Sequence, residues 1–486
     1  MTRQTRSDTL QANIAGFDFT PPIHPEHGAW GTTPGMTEVD LPLLGRCLAI
    51  RQDERLLIWF GLDLCGNPVW ETTELRAEIA DAIDIDIQQV IWSTSQTHSS
   101  PTLPGSNMPG GSGITVRGKF DPAYCDEQRR VFLDLCIGAA REAMDGLRPV
   151  QIRAGRGYCD TMSYNTRFPM PNGGVKFSRD HGEGLQSGKF FDPTIGLVVF
   201  EDETGNVLGA VFNFCSHPAT MINDKYISPD WVGSARSEIE TALDGAPAMF
   251  VQGFCGDVNC HHIFGTPAQA KASGERLGQA AAAALPTLVP VRTTPFAYTF
   301  ETIELACRAM HSRDELEDAM AIRQSFIDSL DTDPTAVWFD GINLPEAAQY
   351  TADQKRASVK GQMDYFQEGL RILDAGESGP PNLSFTLGAV RLGDVAAVLS
   401  HGENFTATGM NVRLRSPFAH TLICGDTNGL FGYLGDDAEI DRGGYETDSF
   451  WKLLLLTDSL RLAPAKGSAD RIIDTSTRLL WQLQDL

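Results

Sequence analysis

The sequence contains no apolar stretch long enough to cross a membrane, because nowhere do about 18 consecutive apolar residues occur. Its first 22 residues also lack the apolar core of a secretory signal peptide. Basic residues are scarce, with 39 Lys and Arg against 63 Asp and Glu, which gives a formal net charge of −24 at pH 7. Nucleic acids and anionic membrane surfaces both repel such a charge. We therefore expect no nucleic-acid partner and no membrane anchor.

A disulfide framework is missing as well. None of the 10 cysteines belongs to a Cys-x-x-Cys pair. Several of them, such as Cys215 and Cys424, lie inside apolar runs, which is typical of buried thiols. Cytosolic thiols stay reduced. Together with the missing signal peptide, this pattern predicts a cytoplasmic protein.

Internal repeats and low-complexity tracts are also absent, and strand-like and helix-like patterns alternate instead. Strands are predicted at about 57–64, 89–97, 150–156, 248–253, 383–391, 395–400 and 419–425, with a hairpin turn at 203–206. Helices are predicted at about 72–85, 123–146, 232–243, 266–286, 311–331, 345–374, 447–461 and 468–484, with another from residue 403. This alternation predicts an α/β fold with a mixed central sheet flanked by helices. We expect a single catalytic domain over residues 1–486, with a helical insertion at about 308–378.

Polar side chains gather where the predicted strands end. They are Asp63, Gln96, His98, His217, Asp257, Asn259, His261, His262, His401 and Glu403. In open α/β sheets, ligands bind beyond the carboxyl ends of the strands. Each residue alone has an ordinary explanation, since His217-Pro218 terminates a strand and Glu403 suits a helix start. Because several independent strand ends carry such groups, we expect them to converge on one metal ion or one substrate.

A family resemblance rests on motifs that run from Gly16 to about Tyr433 and are densest between Gly184 and Asn259. The motifs are FDPTIGLVVFEDETGNVLGAVFNFCSHPATMIN, ISPDWVG and MFVQGFCGDVN, in that order. In these segments the chain resembles the neutral, non-lysosomal ceramidases and their bacterial relatives. The resemblance implies the α/β catalytic fold of that family and a hydrolase.

The resemblance also implies a zinc site, which the family builds from two histidines, a glutamate and a tyrosine. Three of these ligands carry over by motif. His217 lies in the Phe-x-x-His-Pro motif, Glu403 in His-Gly-Glu, and Tyr433 in Asn-x-x-x-Gly-Tyr. Zinc is therefore the expected cofactor, with another divalent metal ion as the alternative.

Two positions depart from the family pattern. Where the family has Thr-His-Thr-His-Ser-Gly-Pro, residues 95–101 read Ser-Gln-Thr-His-Ser-Ser-Pro, so Gln96 replaces a zinc-binding histidine. Since residues two apart in a strand point the same way, His98 is a candidate metal ligand or catalytic group in its place. The family's catalytic serine after Asp-Val is Asn259 here, and a carboxamide is no nucleophile of that kind.

Further roles are assigned to residues around this site. Asp257 and Asp230 are candidate general bases or groups that orient a metal ligand. Asn259 and Arg167 are candidates for holding substrate or stabilising negative charge. Candidate substrate-binding residues are Gln96, Asn165, Asp63 and His262.

Three hypotheses for function follow. The first is a metal-dependent hydrolase that cleaves an amide bond in a small soluble N-acylated compound, because the family's immunoglobulin-like C-terminal domain is not seen. The second is a hydrolase of another bond type, such as a glycoside hydrolase, which needs a pair of carboxyl groups. Its candidate carboxylates are Asp63, Asp230, Asp257 and Glu403. The third is a binding protein without catalysis.

Overall fold

The computed structural model of the chain describes residues 9–24, 27, 36–101, 121–222, 225–336, 351–448 and 462–486. Its strands are β1 (Gln11–Asp18), β2 (Glu38–Val39), β3 (Leu44–Gln52), β4 (Arg55–Leu62), β5 (Val90–Thr94), β6 (Arg148–Pro149), β7 (Gln151–Tyr158), β8 (Ser163–Asn165), β9 (Arg167–Pro169), β10 (Val175–Phe177), β11 (Thr194–Glu201), β12 (Val207–Phe214), β13 (Tyr226–Ile227), β14 (Ala248–Gln252), β15 (Val258–Cys260), β16 (Val289–Val291), β17 (Phe296–Ala306), β18 (Asn382–Leu392), β19 (Val395–Ser400), β20 (Glu403–Asn404), β21 (His420–Cys424) and β22 (Tyr433–Leu434). Its helices are α1 (Val69–Ile83), α2 (Pro122–Asp145), α3 (His181–Gln186), α4 (Trp231–Ala242), α5 (Pro267–Ala284), α6 (Arg313–Ser329), α7 (Ala352–Asp374), α8 (Thr406–Arg415), α9 (Asp437–Arg442) and α10 (Ser468–Gln484).

Three larger sheets carry the fold, with strand orders β5-β4-β3-β1-β6, β14-β12-β11-β7-β16 and β17-β18-β19-β21. Each contains an antiparallel hairpin followed by a helix and by a strand parallel to the hairpin's second strand. The three units are β3-β4-α1-β5, β11-β12-α4-β14 and β18-β19-α8-β21. The protein thus repeats one ββαβ topology three times, although its sequence shows no internal repeat.

The three sheets pack on one another around a shared apolar core. Leu48 and Trp59 of the first sheet, Val198 and Met249 of the second and Leu399 of the third all belong to it. Helices α1 and α2 cover the first sheet, α4 and α5 the second, and α8 and α10 the third. Strands covered on both faces are apolar throughout, which is why β4 and β5 read as continuous apolar runs rather than as alternating patterns.

Helix starts follow the local sequence. Asp121 caps α2 with a side-chain oxygen that accepts the backbone N–H of Ala123. Thr266 and Gln269 form a reciprocal capping box at the start of α5. Proline occupies the first turn of both helices, where its missing N–H costs no helical hydrogen bond.

The predicted α/β class is confirmed, but the expectation of one central mixed sheet is wrong, because the strands divide among three larger sheets. The predicted helix start at Glu403 is also wrong. This residue lies in β20, which pairs in parallel with β22, and the helix begins at Thr406. Strands β1, β3 and β17 were not predicted.

Helices α6 and α7 lie in the region predicted as a helical insertion, and that insertion into a single domain stays a prediction. The predicted helix at 447–461 falls almost entirely outside the described residues.

No helix in the described ranges is long and apolar enough to span a membrane. All 10 cysteines lie within those ranges, and no disulfide bond joins any two of them. Nine are buried and Cys307 is partly exposed, as expected for reduced thiols that pack as small apolar groups.

Candidate active site

The ends of the three parallel strand pairs meet at one place. The side chain of Gln252, at the end of β14, donates to the carbonyl oxygens of Ser95 and Ser216, both at 2.9 Å. The backbone carbonyl of Gln252 accepts the N–H of Gly425 at 3.0 Å, and the backbone carbonyl of Asp426 accepts the N–H of Thr94 at 3.2 Å. These bonds fasten the strand ends of all three sheets together, so the polar residues that follow them surround a common space.

His217 and Glu403 form the centre of this space. The Nδ1 atom of His217 lies 2.9 Å from the carbonyl oxygen of Val258, and its Nε2 lies 3.2 Å from Oε2 of Glu403. A carbonyl can only accept a hydrogen bond, so Nδ1 carries the proton and donates. In the neutral ring, the lone pair of Nε2 then faces an acceptor oxygen. Two acceptors at this separation require a cation between them, either a proton or a metal ion.

Tyr433 lies beside this pair. Glu403 and Tyr433 are register partners in the β20–β22 pair, and the ring centres of His217 and Tyr433 are 6.3 Å apart. The ring of Tyr445 meets that of Tyr433 at 5.6 Å, and the two hydroxyls share a hydrogen bond. Burial and the charge of Glu403 raise the pKa of Tyr433 well above its usual value. The phenol therefore stays protonated unless a cation binds it.

His98 approaches His217 from the first sheet. The two ring centres are 5.8 Å apart, and the backbone N–H of His98 donates to the carbonyl of Pro218 at 2.9 Å. Burial, followed by the neighbouring His217, lowers the pKa of His98 to about 3. Its imidazole is therefore neutral at physiological pH, which is the form that binds a metal ion.

Gln96 faces Cys255 rather than His217. The Cys255 thiol donates to Oε1 of Gln96 at 3.3 Å, and the carboxamide is 1% exposed. The backbone of Gln96 has a φ of 63°, in the left-handed region that a residue with a side chain rarely adopts. Such a conformation persists only where the surrounding structure imposes it.

Asn259 and Asp257 lie on the β15 segment beside His217. Asn259 is bridged to the backbone of His217. Both oxygens of Asp257 are engaged, one with the N–H of Thr406 and one with Nδ2 of Asn165, each at 2.7 Å. Burial raises the pKa of Asp257 to about 7. Asp257 and Asn165 thus hold β15 in place, which positions the backbone of Asn259 beside that of His217.

Asp63 and Arg167 are both engaged in buried ion pairs. Asp63 accepts two hydrogen bonds from Arg236, at 3.1 and 2.6 Å. Arg167 binds Glu439 at 2.6 Å and Glu446 at 2.8 Å. In these contacts Asp63 fixes α4 against the first sheet, and Arg167 fixes the segment that carries Tyr445.

His262 follows β15 and clusters with two other histidines. Its ring centre is 4.4 Å from that of His261, which stacks on His181 at 3.7 Å. Its predicted role in substrate binding stays a prediction.

In the described part of the chain, no three His, Cys, Asp or Glu side chains are close enough to hold a metal ion as they stand.

Asp230 acts as a helix cap. Its Oδ1 accepts the N–H of Trp231 at 2.7 Å, and its Oδ2 accepts the N–H of Met221 at 2.8 Å. The carboxyl is fully enclosed, and this burial raises its pKa from 3.8 to about 6. Both oxygens are thus used by the backbone around α4.

This cap predicts a pH-dependent difference between wild type and Asp230→Asn. Because the folded-state pKa exceeds the unfolded value, the folded wild type binds more protons between about pH 4 and 6. Its stability relative to the variant therefore falls by about 3 kcal/mol as the pH rises from 4 to 7. Urea unfolding of both proteins at the two pH values measures this, with the exposed Asp134→Asn as control. An unchanged difference would contradict the assignment.

Two site residues were not predicted from the sequence. Asp426 follows β21 and lies 4.0 Å from the Cys255 thiol. It carried the same signal as Asp63, a carboxylate directly after an apolar strand. Tyr445 lies 12 positions after Tyr433, where a helical stretch begins, and no periodicity or motif marks it. Its contact with Tyr433 appears only in the folded chain.

No protein-family model matches the chain, and no curated protein matches its sequence. Solved structures do match. The neutral ceramidase from Pseudomonas aeruginosa aligns with a TM-score of 0.66 at 16% identity, over 99% of this chain and 75% of that one. A ceramidase complexed with C2 aligns with a TM-score of 0.66 at 15% identity, over 99% and 76%. The chain therefore has the fold of the neutral ceramidases, as the motifs in its sequence predicted.

Proposed function

We propose that this protein is a metal-dependent hydrolase that cleaves the amide bond of a small N-acylated substrate. The observation that carries the proposal is the contact between Nε2 of His217 and Oε2 of Glu403 at 3.2 Å. Ligands that share a tetrahedral zinc ion at 2.0–2.2 Å lie about 3.4 Å apart. The hydrogen bond from Nδ1 to a backbone carbonyl is also the usual support of a metal-binding histidine.

Tyr433 and His98 are the proposed remaining ligands. Tyr433 is joined to Glu403 through the β20–β22 pair, and its ring lies 6.3 Å from that of His217. The His98 ring lies 5.8 Å from the same ring, and two imidazoles on one zinc ion are separated by roughly 5 Å. Rotation of His98 supplies the small remaining movement. Zinc fits this donor set, and another divalent ion is the alternative.

The protein's own groups divide the chemistry between them. When bound, the metal ion supplies an activated water and polarises the substrate carbonyl. Asn259 cannot serve as a nucleophile, but its carboxamide N–H can donate to the oxyanion that develops at the carbonyl. Asp257 keeps that carboxamide in position through β15. Tyr445, at the partly exposed edge of the site, orients the hydroxyl of Tyr433.

The fold supports a hydrolase acting on an N-acyl bond, since the two solved structures it resembles are ceramidases. The glycoside-hydrolase alternative needs two carboxyl groups that face one substrate. Three of its four candidates, Asp63, Asp230 and Asp257, have both oxygens hydrogen bonded within the fold. Of these four, only Glu403 remains directed at the site, and the imidazole of His217 beside it suits a metal centre rather than a pair of carboxyl groups, so the amide hydrolase is favoured.

Removal of metal tests this proposal. The protein, purified without added metal, is assayed on a short-chain N-acylated amino alcohol before and after dialysis against a chelator. Loss of Lewis-acid stabilisation, worth several kcal/mol, is expected to lower the rate about 10³-fold. Zinc or another divalent ion should restore it. Undiminished activity in the chelated protein would overturn the metal mechanism, and hydrolysis of glycosides under the same conditions would favour the carboxylate alternative.

A further inference from the structure

Asp426 is a buried carboxyl that the proposed mechanism does not use. It follows β21, the parallel strand of the third ββαβ unit, in the place that Gln96 occupies after β5 of the first unit. Its side chain is 1% exposed, and its backbone φ of 45° is left-handed, as is that of Gln96. Oδ1 has no hydrogen-bond partner among the described residues, and the contact of Oδ2 with the Cys255 thiol is long, at 4.0 Å.

Asp426 shares one enclosed space with Gln96 and Glu403. The Cys255 thiol lies between Oε1 of Gln96 and Oδ2 of Asp426, at 3.3 and 4.0 Å. Gly256, the residue after Cys255, donates its N–H to the carbonyl oxygen of Asn404, the residue after Glu403, at 3.0 Å. The backbone of Glu403 therefore lies beside the segment that carries the Cys255 thiol, and the carboxyl groups of Glu403 and Asp426 are both buried.

No lysine or arginine in the described ranges forms an ion pair with either carboxyl; the only such contact is that of Glu403 with His217. Buried carboxylates without a cation are costly, so protons or a metal ion must balance the pair. A protonated pair needs hydrogen-bond acceptors, yet Oδ1 of Asp426 faces none among the described residues. A divalent cation satisfies both carboxylates at once.

We infer that Asp426 completes the metal centre in place of the donor missing at Gln96, and that the centre prefers Mn²⁺ or Mg²⁺ to Zn²⁺. This inference rests on the proposed metal-dependent function. Glu403, Asp426, the Gln96 carbonyl and the Tyr433 hydroxyl offer oxygen, and His217 and His98 offer nitrogen, so oxygen donors outnumber nitrogen donors four to two. Oxygen-rich sets favour harder cations, whereas zinc favours nitrogen and sulfur. No normal hydrogen bond among the described residues opposes a rotation of the Asp426 side chain toward Glu403, since Oδ1 has no partner and the contact of Oδ2 is 4.0 Å long.

Metal titration tests the inference directly. Chelator-treated wild type and Asp426→Asn are titrated with Mn²⁺, Mg²⁺ and Zn²⁺ by calorimetry. We expect wild type to bind Mn²⁺ or Mg²⁺ more tightly than Zn²⁺, and Asp426→Asn to lose about 100-fold or more of the affinity for the harder ion. Asp192→Asn is the matched control, since Asp192 is also buried but has both oxygens hydrogen bonded, one to the N–H of Thr194 and one to Arg413. It should keep wild-type affinity.

Two further measurements separate a metal role from a structural one. Added Mn²⁺ should raise the melting temperature of wild type but leave that of Asp426→Asn within about 1 °C of its metal-free value; a merely structural carboxyl would leave the metal-induced rise unchanged in the variant. Gln96→His should shift the preference toward Zn²⁺. Tighter zinc binding by wild type, or unchanged affinities in Asp426→Asn, would overturn the inference alone. A wild type that binds no divalent ion would overturn the proposed function as well.

Discussion

Replacing His217 with alanine is expected to remove the bound metal ion and to lower kcat/KM for amide hydrolysis about 10³-fold. The imidazole is the one nitrogen ligand already directed at Glu403, at 3.2 Å. Without it, two of the remaining proposed donors, Tyr433 and His98, are uncharged at physiological pH and bind a cation more weakly than a carboxylate does. Several kcal/mol of charge stabilisation at the substrate carbonyl are lost with the ion.

The same substitution also removes a buried side chain and its hydrogen bond, so it should lower the stability of the fold. The His217 ring is buried, and its hydrogen bond to the carbonyl of Val258 helps to hold β15. His217→Asn keeps a donor for that carbonyl but shortens the reach to the ion. Both variants should therefore lose metal, while His217→Asn should lose less stability.

Elemental analysis and calorimetry measure the metal, and circular dichroism confirms that each variant is folded. His311→Ala is the control, because this histidine lies at the start of α6 and makes a long contact of 3.5 Å with Glu315. It should match wild type in metal content and rate. Retention of one metal ion per chain in His217→Ala would show that the ion is bound elsewhere, and the proposed centre would be wrong.

The sequence predicted the fold class and most individual elements because strands covered on both faces are apolar throughout and amphipathic helices keep their period. It did not predict the threefold repetition of the ββαβ unit. The three units share the order and pairing of their strands, but their amino-acid sequences are not similar to one another. Only the pairing registers of β4 with β5, β12 with β14 and β19 with β21 show it.

The candidate site was predicted in part for a related reason. Polar residues at strand ends are visible in a sequence, so His217, Glu403 and His98 were identified. What a sequence does not show is which polar groups already have partners. Asp230 has both oxygens bound to backbone N–H groups, whereas Oδ1 of Asp426 has no partner among the described residues. In the sequence, each is a single aspartate after a short apolar or turn segment. Only the folded structure shows that Asp230 caps a helix and that Asp426 is a candidate ligand.

Arg167→Ala is expected to cost about 3–5 kcal/mol of the free energy of unfolding, the second large effect that the structure predicts. The guanidinium is fully buried and donates to Glu439, to Glu446 and to the carbonyl of Gly443, the last at 2.7 Å. Without the arginine, Glu446 is a 1% exposed carboxylate with no basic partner among the described residues. An uncompensated buried charge is more costly than the lost contacts themselves.

The controls distinguish the network from a general effect of removing an arginine. Arg130→Ala removes an exposed pair with Asp134 and should cost at most about 0.5 kcal/mol. Arg167→Lys keeps the charge but not the planar fork of donors, so an intermediate loss is expected. Arg167→Met combined with Glu446→Gln removes both charges and should recover much of the stability. Urea unfolding followed by circular dichroism measures all four variants.

The Arg167 network also holds the segment that contains Tyr445 of the candidate site, so enzyme kinetics provide a second test of this prediction. Glu446 follows Tyr445, and Tyr445 contacts Tyr433 at 5.6 Å between ring centres. Loosening Glu446 should therefore disorder Tyr445 before it affects His217 or its hydrogen bond to Val258. Under conditions where Arg167→Lys remains folded, we expect a higher KM with the metal content unchanged. A loss of metal equal to that of His217→Ala would instead place Arg167 in the metal centre itself, and equal stability of Arg167→Ala and wild type would contradict the buried network.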